Sequence, residues 1–519
     1  MPNAAPAPRA ARGRRVPRPL VAAFLSGIIP GAGHLYGGWR RRGWVFITIT
    51  AALVVPAALL LFFVIYGNTL SLALTLSKPF FQHPALFLVL LAANAILLAF
   101  RIAVVVDAYL VCRPMTRHGV TAPTGVVAGL ALAVILAGTA VPHVYVGRRN
   151  LLLYDAVTFD YVSDPGQSTT LGTSTTRGDG ATGATGTTRN DTPSSTAPST
   201  TILLPDTFTD GTRVNILLLG GDAGVGRRNI RTDSMIVVSI DPETGWTAMF
   251  GIPRNLIHVP IPESSPAHGV WDCPGGCYPK IANEIYQSGL DYPDLFPGGP
   301  NSGGNATKLL LGNLLGIEID YFALVDLVGF VDMIDAVGGV DINVLDRIYD
   351  ETYPNTDGTL TTIVIEPGIQ HMDGERALQY ARSRHGVEGS DFGRMSHQRC
   401  VLEALATQTD PLTLFQELPT FVPAIQESVT TDIPIAELPA FIELAAKADL
   451  EHIVTTRFMP NAPEFEGTPT SYIAEYTADR YPVPDRDFIA ETVAIALTLP
   501  PLEAIERLNF QPLEDACGP

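Results

Sequence analysis

Charged residues are scarce in this chain of 519 residues. They make up 17% of it, whereas hydrophobic residues make up 46% and the mean hydropathy is +0.22. So little charge among so many apolar residues is unusual for a purely soluble protein, and it indicates a membrane part. The length allows roughly two to four domains.

Acidic residues are nearly absent from the first 156 positions, which hold 14 Lys and Arg but only Asp107 and Asp155. The remainder holds 20 basic and 50 acidic residues, and the formal net charge of the whole chain is −18. Binding to nucleic acid requires clustered basic residues that replace the counterions of phosphates. The acidic part therefore argues against a nucleic-acid partner, although a local basic site stays compatible with it.

Three catalytic motifs are missing: the P-loop pattern G-x-x-x-x-G-K-[ST], the zinc-protease pattern H-E-x-x-H and the nucleophile pattern G-x-S-x-G. Cysteine is also rare, with five residues. Cys273 and Cys277 in "WDCPGGCYP" predict a short disulfide outside the cell. A zinc site would need further ligands at a suitable spacing, and Cys400 or Cys517 are alternative partners in a disulfide.

Long apolar stretches are concentrated at the N-terminus. Three of them, residues 44–66, 84–106 and 123–144, are long enough to cross a hydrocarbon core of about 30 Å. The basic loops predict a cytoplasmic N-terminus and place the chain after the third span outside the cell membrane. The glycine-rich stretch 20–38 is predicted to be re-entrant or interfacial, because a crossing would put two arginine clusters on opposite sides. Residues 1–150 thus form a predicted multi-pass membrane domain.

The rest of the chain divides by composition. Residues 155–212 are rich in Ser, Thr and Gly and predict a disordered linker. Residues 213–460 alternate short apolar runs with amphipathic ones, which predicts an extracellular α/β domain with a mixed central sheet in a three-layer α/β/α arrangement, or an α+β domain. Residues 461–519 are predicted to be a C-terminal extension of helices and loops.

Arginine and aspartate recur at the predicted strand and helix ends of this acidic domain. Arginine presents a planar fork that matches pairs of phosphate oxygens, and two carboxylates are enough to hold one Mg²⁺ beside a bound phosphate. Together these residues predict a pyrophosphate site, although a helix-end arginine or a surface lysine also has an ordinary structural explanation. The residues are Asp222, Arg231, Asp233, Arg254, Lys280, Arg382, Arg384, Arg394, Gln398 and Arg399.

An ordered series of segments carries a family resemblance. "LLLGGDAG", "RTDSMIVVSID", "GIPRN", "KIANEIY", "DAVGGVDINV", "GERALQYARSRH" and "DFGRMSHQR" follow one another over about residues 213–410. This series resembles the LytR-CpsA-Psr family of cell-wall glycopolymer transferases. Two features depart from the family: Asn255 stands where an Asp usually follows "IPR", and most members begin with a single span.

The resemblance implies a Mg²⁺- or Mn²⁺-dependent phosphotransferase at the membrane. Its partners would be peptidoglycan and a polyprenyl-pyrophosphate-linked glycopolymer such as teichoic acid or arabinogalactan. It implies that Asp222 and Asp233 bind the metal and act in catalysis with Arg254, Arg382 and Arg384. Substrate contacts would come from the same three arginines together with Arg231, Lys280, Arg394 and Gln398. The apolar side chains of residues 323–334 would sheathe the isoprenoid, unless they are ordinary core.

Three functions are compatible with these residues. The first is transfer of the phosphoglycosyl chain to a peptidoglycan hydroxyl, which forms a phosphodiester. A non-catalytic binder of lipid-linked glycan would share the arginine cluster without needing both carboxylates, and a hydrolase would use water as the acceptor. Whether Asp222 or Asp233 acts as metal ligand or as base is also open, since a metal-bound carboxylate is a poor base.

Overall fold

The structure is a computed structural model with two compact units, one made of helices up to residue 158 and one that follows it. It describes residues 19–66, 70–112, 122–158, 208, 212–222, 230–296, 301–355, 359–383, 391–409, 428–450, 452–458 and 472–508. The predicted linker 155–212 lies almost entirely outside this part of the chain.

The first unit consists of helices. Two helical stretches, Ala85–Val111 and Gly125–Thr158, are long and apolar enough to cross a membrane. The stretch 20–38 forms two short helices separated at Gly31, whose φ of 98° is readily adopted only by glycine. The bounds are α1 Pro19–Ile28, α2 Ala32–Tyr36, α3 Arg40–Tyr66, α4 Leu70–Gln82, α5 Ala85–Val111 and α6 Ala122–Thr158.

The predicted spans coincide with long helices. Residues 44–66 lie in α3, residues 84–106 correspond to α5, and residues 123–144 lie in α6, which continues to Thr158. Among the described residues, only α5 and α6 are both long enough and apolar enough to cross a membrane. The number of crossings and their direction stay predictions.

The second unit mixes strands with helices. Its strands are β1 Val214–Gly221, β2 Thr232–Ile240, β3 Thr247–Gly251, β4 Val259–Pro260, β5 Cys277–Tyr278, β6 Tyr321–Val325, β7 Val340–Val344, β8 Ile348–Pro354, β9 Leu360–Ile365, β10 Gly368–Met372, β11 Val429–Thr431, β12 Val454–Arg457, β13 Ile473–Tyr476 and β14 Pro482–Pro484. Its helices are α7 Ile285–Asp291, α8 Ser302–Leu315, α9 Leu327–Ala336, α10 Gly374–Arg382, α11 Asp391–Gln408, α12 Leu438–Lys447, α13 Arg486–Thr498 and α14 Pro501–Leu508.

The central sheet is mixed, as predicted. Its strand order is β11-β6-β1-β2-β3-β12. The pairs β1–β2, β2–β3 and β6–β11 are antiparallel, whereas β1–β6 and β3–β12 are parallel. The apolar runs in β1, β2 and β3 explain their central position, since both faces of these strands are covered.

Alternating side chains of the sheet enter two separate cores. Val237 and Phe250 pack in a first core that also contains residues of α8 and α13, while Ile236 and Met249 pack in a second core with residues of α10 and α11. The period of two along β2 and β3 sends neighbouring residues to opposite faces. Helices therefore contribute to the packing against both faces of these strands.

The C-terminal residues 472–508 belong to the first core. Ile473, Ile489, Val493 and Leu508 are buried there beside sheet residues. The division into a domain of residues 213–460 and a C-terminal extension of residues 461–519 stays a prediction. Cys273 and Cys277 form a disulfide as predicted, and Cys400 is also disulfide-bonded.

Candidate active site

A β-bulge places Asp233 at one end of the central sheet. Gly220 pairs with Ser234 and Gly221 pairs with Thr232, so Asp233 is the extra residue in β2. A Cβ atom on Gly220 would lie 2.9 Å from the Cβ of Ser234, which explains the glycine opposite the bulge. Because bulges redirect a side chain and are frequent beside active sites, this one sets the direction of the carboxylate.

The carboxylate of Asp233 is held by three side chains from different parts of the chain. Its Oδ1 accepts hydrogen bonds from Arg254 Nη1 at 2.7 Å and from Asn283 Nδ2 at 3.0 Å. Arg394 donates from Nη2 to the main-chain oxygen of Asp233 at 3.3 Å, and its Nη1 lies 3.9 Å from Oδ2. One carboxylate on β2 is therefore contacted from three other places in the chain: the end of β3, the turn at Asn283 and α11.

This environment keeps Asp233 ionised. Burial by itself raises the pKa of the carboxyl group, but the hydrogen bond and charge of Arg254, the hydrogen bond from Asn283 and the charge of Arg394 outweigh it. The net result is a pKa below the ordinary value of 3.8. A carboxylate with a lowered pKa is a weak proton acceptor, so the surroundings suit an anchor or a metal ligand better than a base.

Asn255 leaves Arg254 in position. Its Oδ1 atom is buried and accepts no hydrogen bond within the described residues. Arg254 nevertheless bonds to Asp233, and its main-chain oxygen accepts a hydrogen bond from the nitrogen of Asn283. An aspartate at position 255 is therefore not needed for the orientation of Arg254 in this chain.

Asp222 and Arg231 extend the end of the β1–β2 pair. The nitrogen of Asp222 donates to the main-chain oxygen of Arg231 at 3.0 Å, and the nitrogen of Arg231 donates to Asp222 Oδ1 at 2.9 Å. The guanidinium of Arg231 reaches Glu284 Oε1 at 3.3 Å, and Lys280 Nζ lies 3.8 Å from Glu284 Oε2. Glu284 thus joins two predicted basic residues at an exposed rim.

Helix α11 supplies the other wall of the site. Arg394 is only 3% exposed, and Gln398 lies one turn later in the helix. Gln398 lines a narrow cleft with Asp233, Arg399 and Arg457, and the apolar part of that lining includes Met235, Met249 and Met395. The cleft has room for about 10 Å³, enough for a single water. Methionine side chains adapt readily, so this lining is suited to opening.

Arg382 contacts the end of β8. Its Nη1 donates to the main-chain oxygen of Pro354 at 3.1 Å and lies 3.5 Å from the hydroxyl of Tyr353, and the guanidinium lies over the Tyr353 ring at 5.5 Å. Burial raises the pKa of Tyr353, which Arg382 opposes. The structure therefore links this arginine to β8, and Arg384 lies outside the described residues.

The predicted isoprenoid sheath is only partly distinct from the core. Leu324 of β6 packs in the first core, and Ile334 of α9 packs in the second. The apolar side chains beside Asp233 come instead from β2, β3 and α11. No residue of 323–334 lines the described cleft.

The two carboxylates fit a magnesium ion by their chemistry. Asp233 Oδ2 accepts no hydrogen bond from the described part of the chain, and Asp222 lies beside the same end of β1 and β2. Mg²⁺ commonly takes one or two carboxylates together with phosphate oxygens and water. The described residues contain one group of three metal-type side chains, His258, Cys273 and Cys277, but the two cysteines are joined in the disulfide.

Three residues of the site were not selected from the sequence. Asn283 and Glu284 lie inside the segment "KIANEIY", where only Lys280 attracted attention by its charge. Arg457 stands on β12, outside the segments that carry the resemblance, and its Nη1 donates to Ser396 Oγ of α11. Nothing in the sequence around Asn283, which stands between Ala282 and Glu284, signals its burial, and Arg457 required knowledge of the strand order.

The geometry defines a class of site. A bulged strand end presents one ionised carboxylate among several guanidinium groups, beside a cleft with an apolar floor. Guanidinium groups in a poorly hydrated place favour a ligand with several anionic oxygens, and the apolar floor favours a ligand that also has a hydrocarbon part. A phosphorylated amphiphile would combine both kinds of group.

Comparison with known proteins agrees with this class. The LytR_cpsA_psr family profile matches residues 179–479, more than half of the chain. The chain therefore belongs to the LytR-CpsA-Psr family, which confirms the resemblance.

Individual relatives share the middle of the chain. It is 30% identical over 207 residues, 40% of this chain and 46% of the relative, to the polyisoprenyl-teichoic acid–peptidoglycan teichoic acid transferase TagV of Bacillus subtilis. It is 30% identical over 214 residues, 41% of each chain, to the probable cell wall biosynthesis protein LcpB of Corynebacterium glutamicum. The crystal structure of B. subtilis TagV aligns at 25% identity with a TM-score of 0.38, covering 58% of this chain and 99% of that one. The chain spans about half the length of the curated relatives it matches.

Proposed function

We propose that the second unit transfers a glycopolymer with its linking phosphate from a polyprenyl-pyrophosphate carrier to a hydroxyl group of peptidoglycan. The observation that carries the proposal is the ionised Asp233 at the β2 bulge, with Arg254 and Arg394 beside it at the mouth of the cleft. The name of the relative TagV, a polyisoprenyl-teichoic acid–peptidoglycan teichoic acid transferase, describes the same kind of transfer for that protein.

The reaction is a substitution at phosphorus. The oxygen of a sugar hydroxyl forms a bond to the phosphorus that carries the glycan, the bond from that phosphorus to the bridging oxygen breaks, and polyprenyl phosphate leaves. Negative charge increases on the leaving oxygen, so preplaced cations stabilise the transition state. Arg254 and Arg394 are placed for this role, because each is already oriented by a contact with Asp233.

Asp222 and Asp233 would hold Mg²⁺ or Mn²⁺ at the pyrophosphate. Bound there, such an ion supplies charge neutralisation between the carboxylates and the phosphate oxygens. The lowered pKa of Asp233 makes it unsuitable as acceptor of the hydroxyl proton. Asp222 would accept that proton only if it does not hold the ion, since a metal-bound carboxylate is a poor base.

The other predicted substrate-binding residues would surround the pyrophosphate without contacting Asp233. Arg231 and Lys280 form the basic rim with Glu284, where glycan-side phosphates would approach. Gln398 would contact the head group from α11. Arg382, with Arg384 after it, would reach the substrate from the side of Tyr353 once the cleft opens. The isoprenoid would enter between α11 and the sheet, past Met235 and Met395.

The proposed architecture matches this reaction. Three spans place the second unit outside the cell membrane, with the N-terminus in the cytoplasm, and the linker lets a three-layer α/β/α domain reach the wall. The basic loops before the first span and after the second support this orientation.

The test uses the full chain in lipid nanodiscs with a lipid-pyrophosphate-linked oligosaccharide, Mg²⁺ and soluble peptidoglycan fragments. Mass spectrometry follows release of polyprenyl phosphate and attachment of the glycan. Attachment that requires both metal and peptidoglycan supports transfer. Release without attachment would indicate hydrolysis, and retention of intact lipid with neither product would indicate a binder.

A further inference from the structure

A polar cluster joins three helices of the first unit. His34 of α2 is fully buried, and its Nε2 lies 2.8 Å from Asp107 Oδ2 of α5. Asp107 Oδ1 lies 3.5 Å from Arg42 Nη1 of α3. Ionisable side chains within an apolar helical unit are costly to bury, and they usually mark a functional site. The cluster is separate from the site at Asp233, which belongs to the second unit.

A cavity of about 580 Å³ opens beside this cluster. Its lining consists of Arg41, Arg42, Val45, Phe46 and Asp107. The cavity is wide open to its surroundings, and Arg41, Arg42 and Val45 in its lining are exposed. Two arginines and one carboxylate give the lining a net positive charge, and the carboxylate is already shared with His34 and Arg42.

The arginines of the cavity have capacity for a ligand. Arg41 makes no hydrogen bond or ion pair with the described residues. Arg42 has only the long contact to Asp107 and a position 5.5 Å from the ring centre of Trp39. The guanidinium groups of Arg41 and Arg42 therefore lie at the cavity with donors that an anion would satisfy.

The cavity lies at the end of the helices, where lipid head groups are expected. Arg41 and Arg42 begin α3, and Asp107 lies in the last turns of α5. Trp39 and Trp44 are both exposed at this level. Tryptophan is enriched at the membrane–water interface, where its ring lies among the head groups. Val45 and Phe46 follow one turn deeper, toward the hydrocarbon.

We propose that this cavity binds the phosphate head group of an anionic membrane lipid. Arg41 and Arg42 contact the phosphate oxygens, and Val45 and Phe46 contact the first carbons of the lipid chain. Basic pockets between transmembrane helices commonly bind phosphorylated head groups. His34 and Asp107 are positioning residues, because their pair holds Arg42 at the cavity. The phosphate can belong to a glycerophospholipid or to a polyprenyl phosphate, since both present the same anion on an apolar chain.

The experiment measures lipid retention by the full chain. Purified protein in nanodiscs of phosphatidylcholine receives a minor fraction of either phosphatidylglycerol or polyprenyl monophosphate, and native mass spectrometry counts the retained lipids. The double variant Arg41→Gln/Arg42→Gln is compared with Arg40→Gln/Arg148→Gln, which removes the same charge from exposed positions outside the cavity. We expect retention to fall about 30-fold in the first variant, since each of its two arginines contributes about 1 kcal/mol to anionic lipid binding, and to fall clearly less in the second, where only Arg40 lies at the same helix end.

A second variant separates binding from folding. Val45→Trp narrows the cavity beside the two arginines without changing charge, so it should reduce retention while the eluted protein stays monodisperse. Retention of only one of the two lipids supports the proposal and assigns the source of the phosphate, and retention of both supports recognition of the phosphate itself. Failure of the wild type to retain either lipid, or equal retention by wild type and Val45→Trp, would overturn the proposal.

Discussion

Replacing Arg254 with glutamine should separate stability from activity. The variant removes the 2.7 Å contact to Asp233 and leaves the hydrogen bond from Asn283 in place. The two side chains are 23% and 32% exposed. A charge-assisted hydrogen bond contributes about 1.5–3 kcal/mol, and with solvent screening at this exposure we expect about 1 kcal/mol of destabilisation. That corresponds to a decrease of about 2–4 °C in melting temperature for a domain of this size.

Activity should fall much further, because Arg254 also faces the charge that develops on the pyrophosphate. Loss of one preplaced donor reduces turnover about 100- to 1,000-fold. The assays are thermal unfolding of the full chain and rate of polyprenyl phosphate release at saturating metal. Arg347→Gln is the control, since Arg347 pairs with the exposed Glu366 at 3.0 Å, with both side chains more than half exposed. Near-wild-type turnover of a folded Arg254→Gln variant would refute the role of this arginine.

Three further predictions concern the same strand end. The pKa of Asp233 is below 3.8, so the stabilising effect of its carboxylate is present above that pH and is lost as the pH falls through the folded-state pKa. Asp233→Asn should therefore lower the melting temperature near neutrality. Plots of melting temperature against pH for the wild type and the variant should converge below about pH 4, and a constant gap between them would contradict this. Gly220→Ala should destabilise by about 1–3 kcal/mol through the 2.9 Å approach to Ser234, and adding Ser234→Gly should restore most of the loss in a denaturant titration. Chelation of divalent ions should abolish transfer, and Mg²⁺ or Mn²⁺ should restore it; turnover that persists in excess chelator would exclude a metal role for Asp222 and Asp233.

The central strands were predictable because their apolar runs are long and their turns are marked. β1, the hairpin of β2 and β3, and the succession of β6, α9 and β7 all lie where hydrophobic periodicity indicated them. The apolar run of β9 predicts a strand before α10, but the residues of β10 between them do not predict a second one, although β10 pairs with β7. Five residues with weak alternation carry too little signal for a strand that depends on a distant partner.

The site was predictable in composition but only partly in geometry. Charge and spacing identified Asp233, Arg254 and Arg394, and the structure brings these three together. The bulge at Asp233 could not be foreseen, because it depends on the register of β1 against β2. Arg382 appeared equivalent to the other arginines in the sequence, yet its contacts are with Tyr353 and Pro354, since the end of α10 faces β8.

The linkage formed by the protein tests the central claim most directly. Wild-type chain and the Asp233→Asn variant are incubated with the lipid-pyrophosphate-linked oligosaccharide, Mg²⁺ and peptidoglycan fragments in ¹⁸O-labelled water, and the products are fragmented in a mass spectrometer. The account predicts one phosphodiester between the glycan and a peptidoglycan sugar, without ¹⁸O, and a large loss of it in the variant. A free glycan phosphate that contains ¹⁸O, or equal product from both proteins, would contradict it.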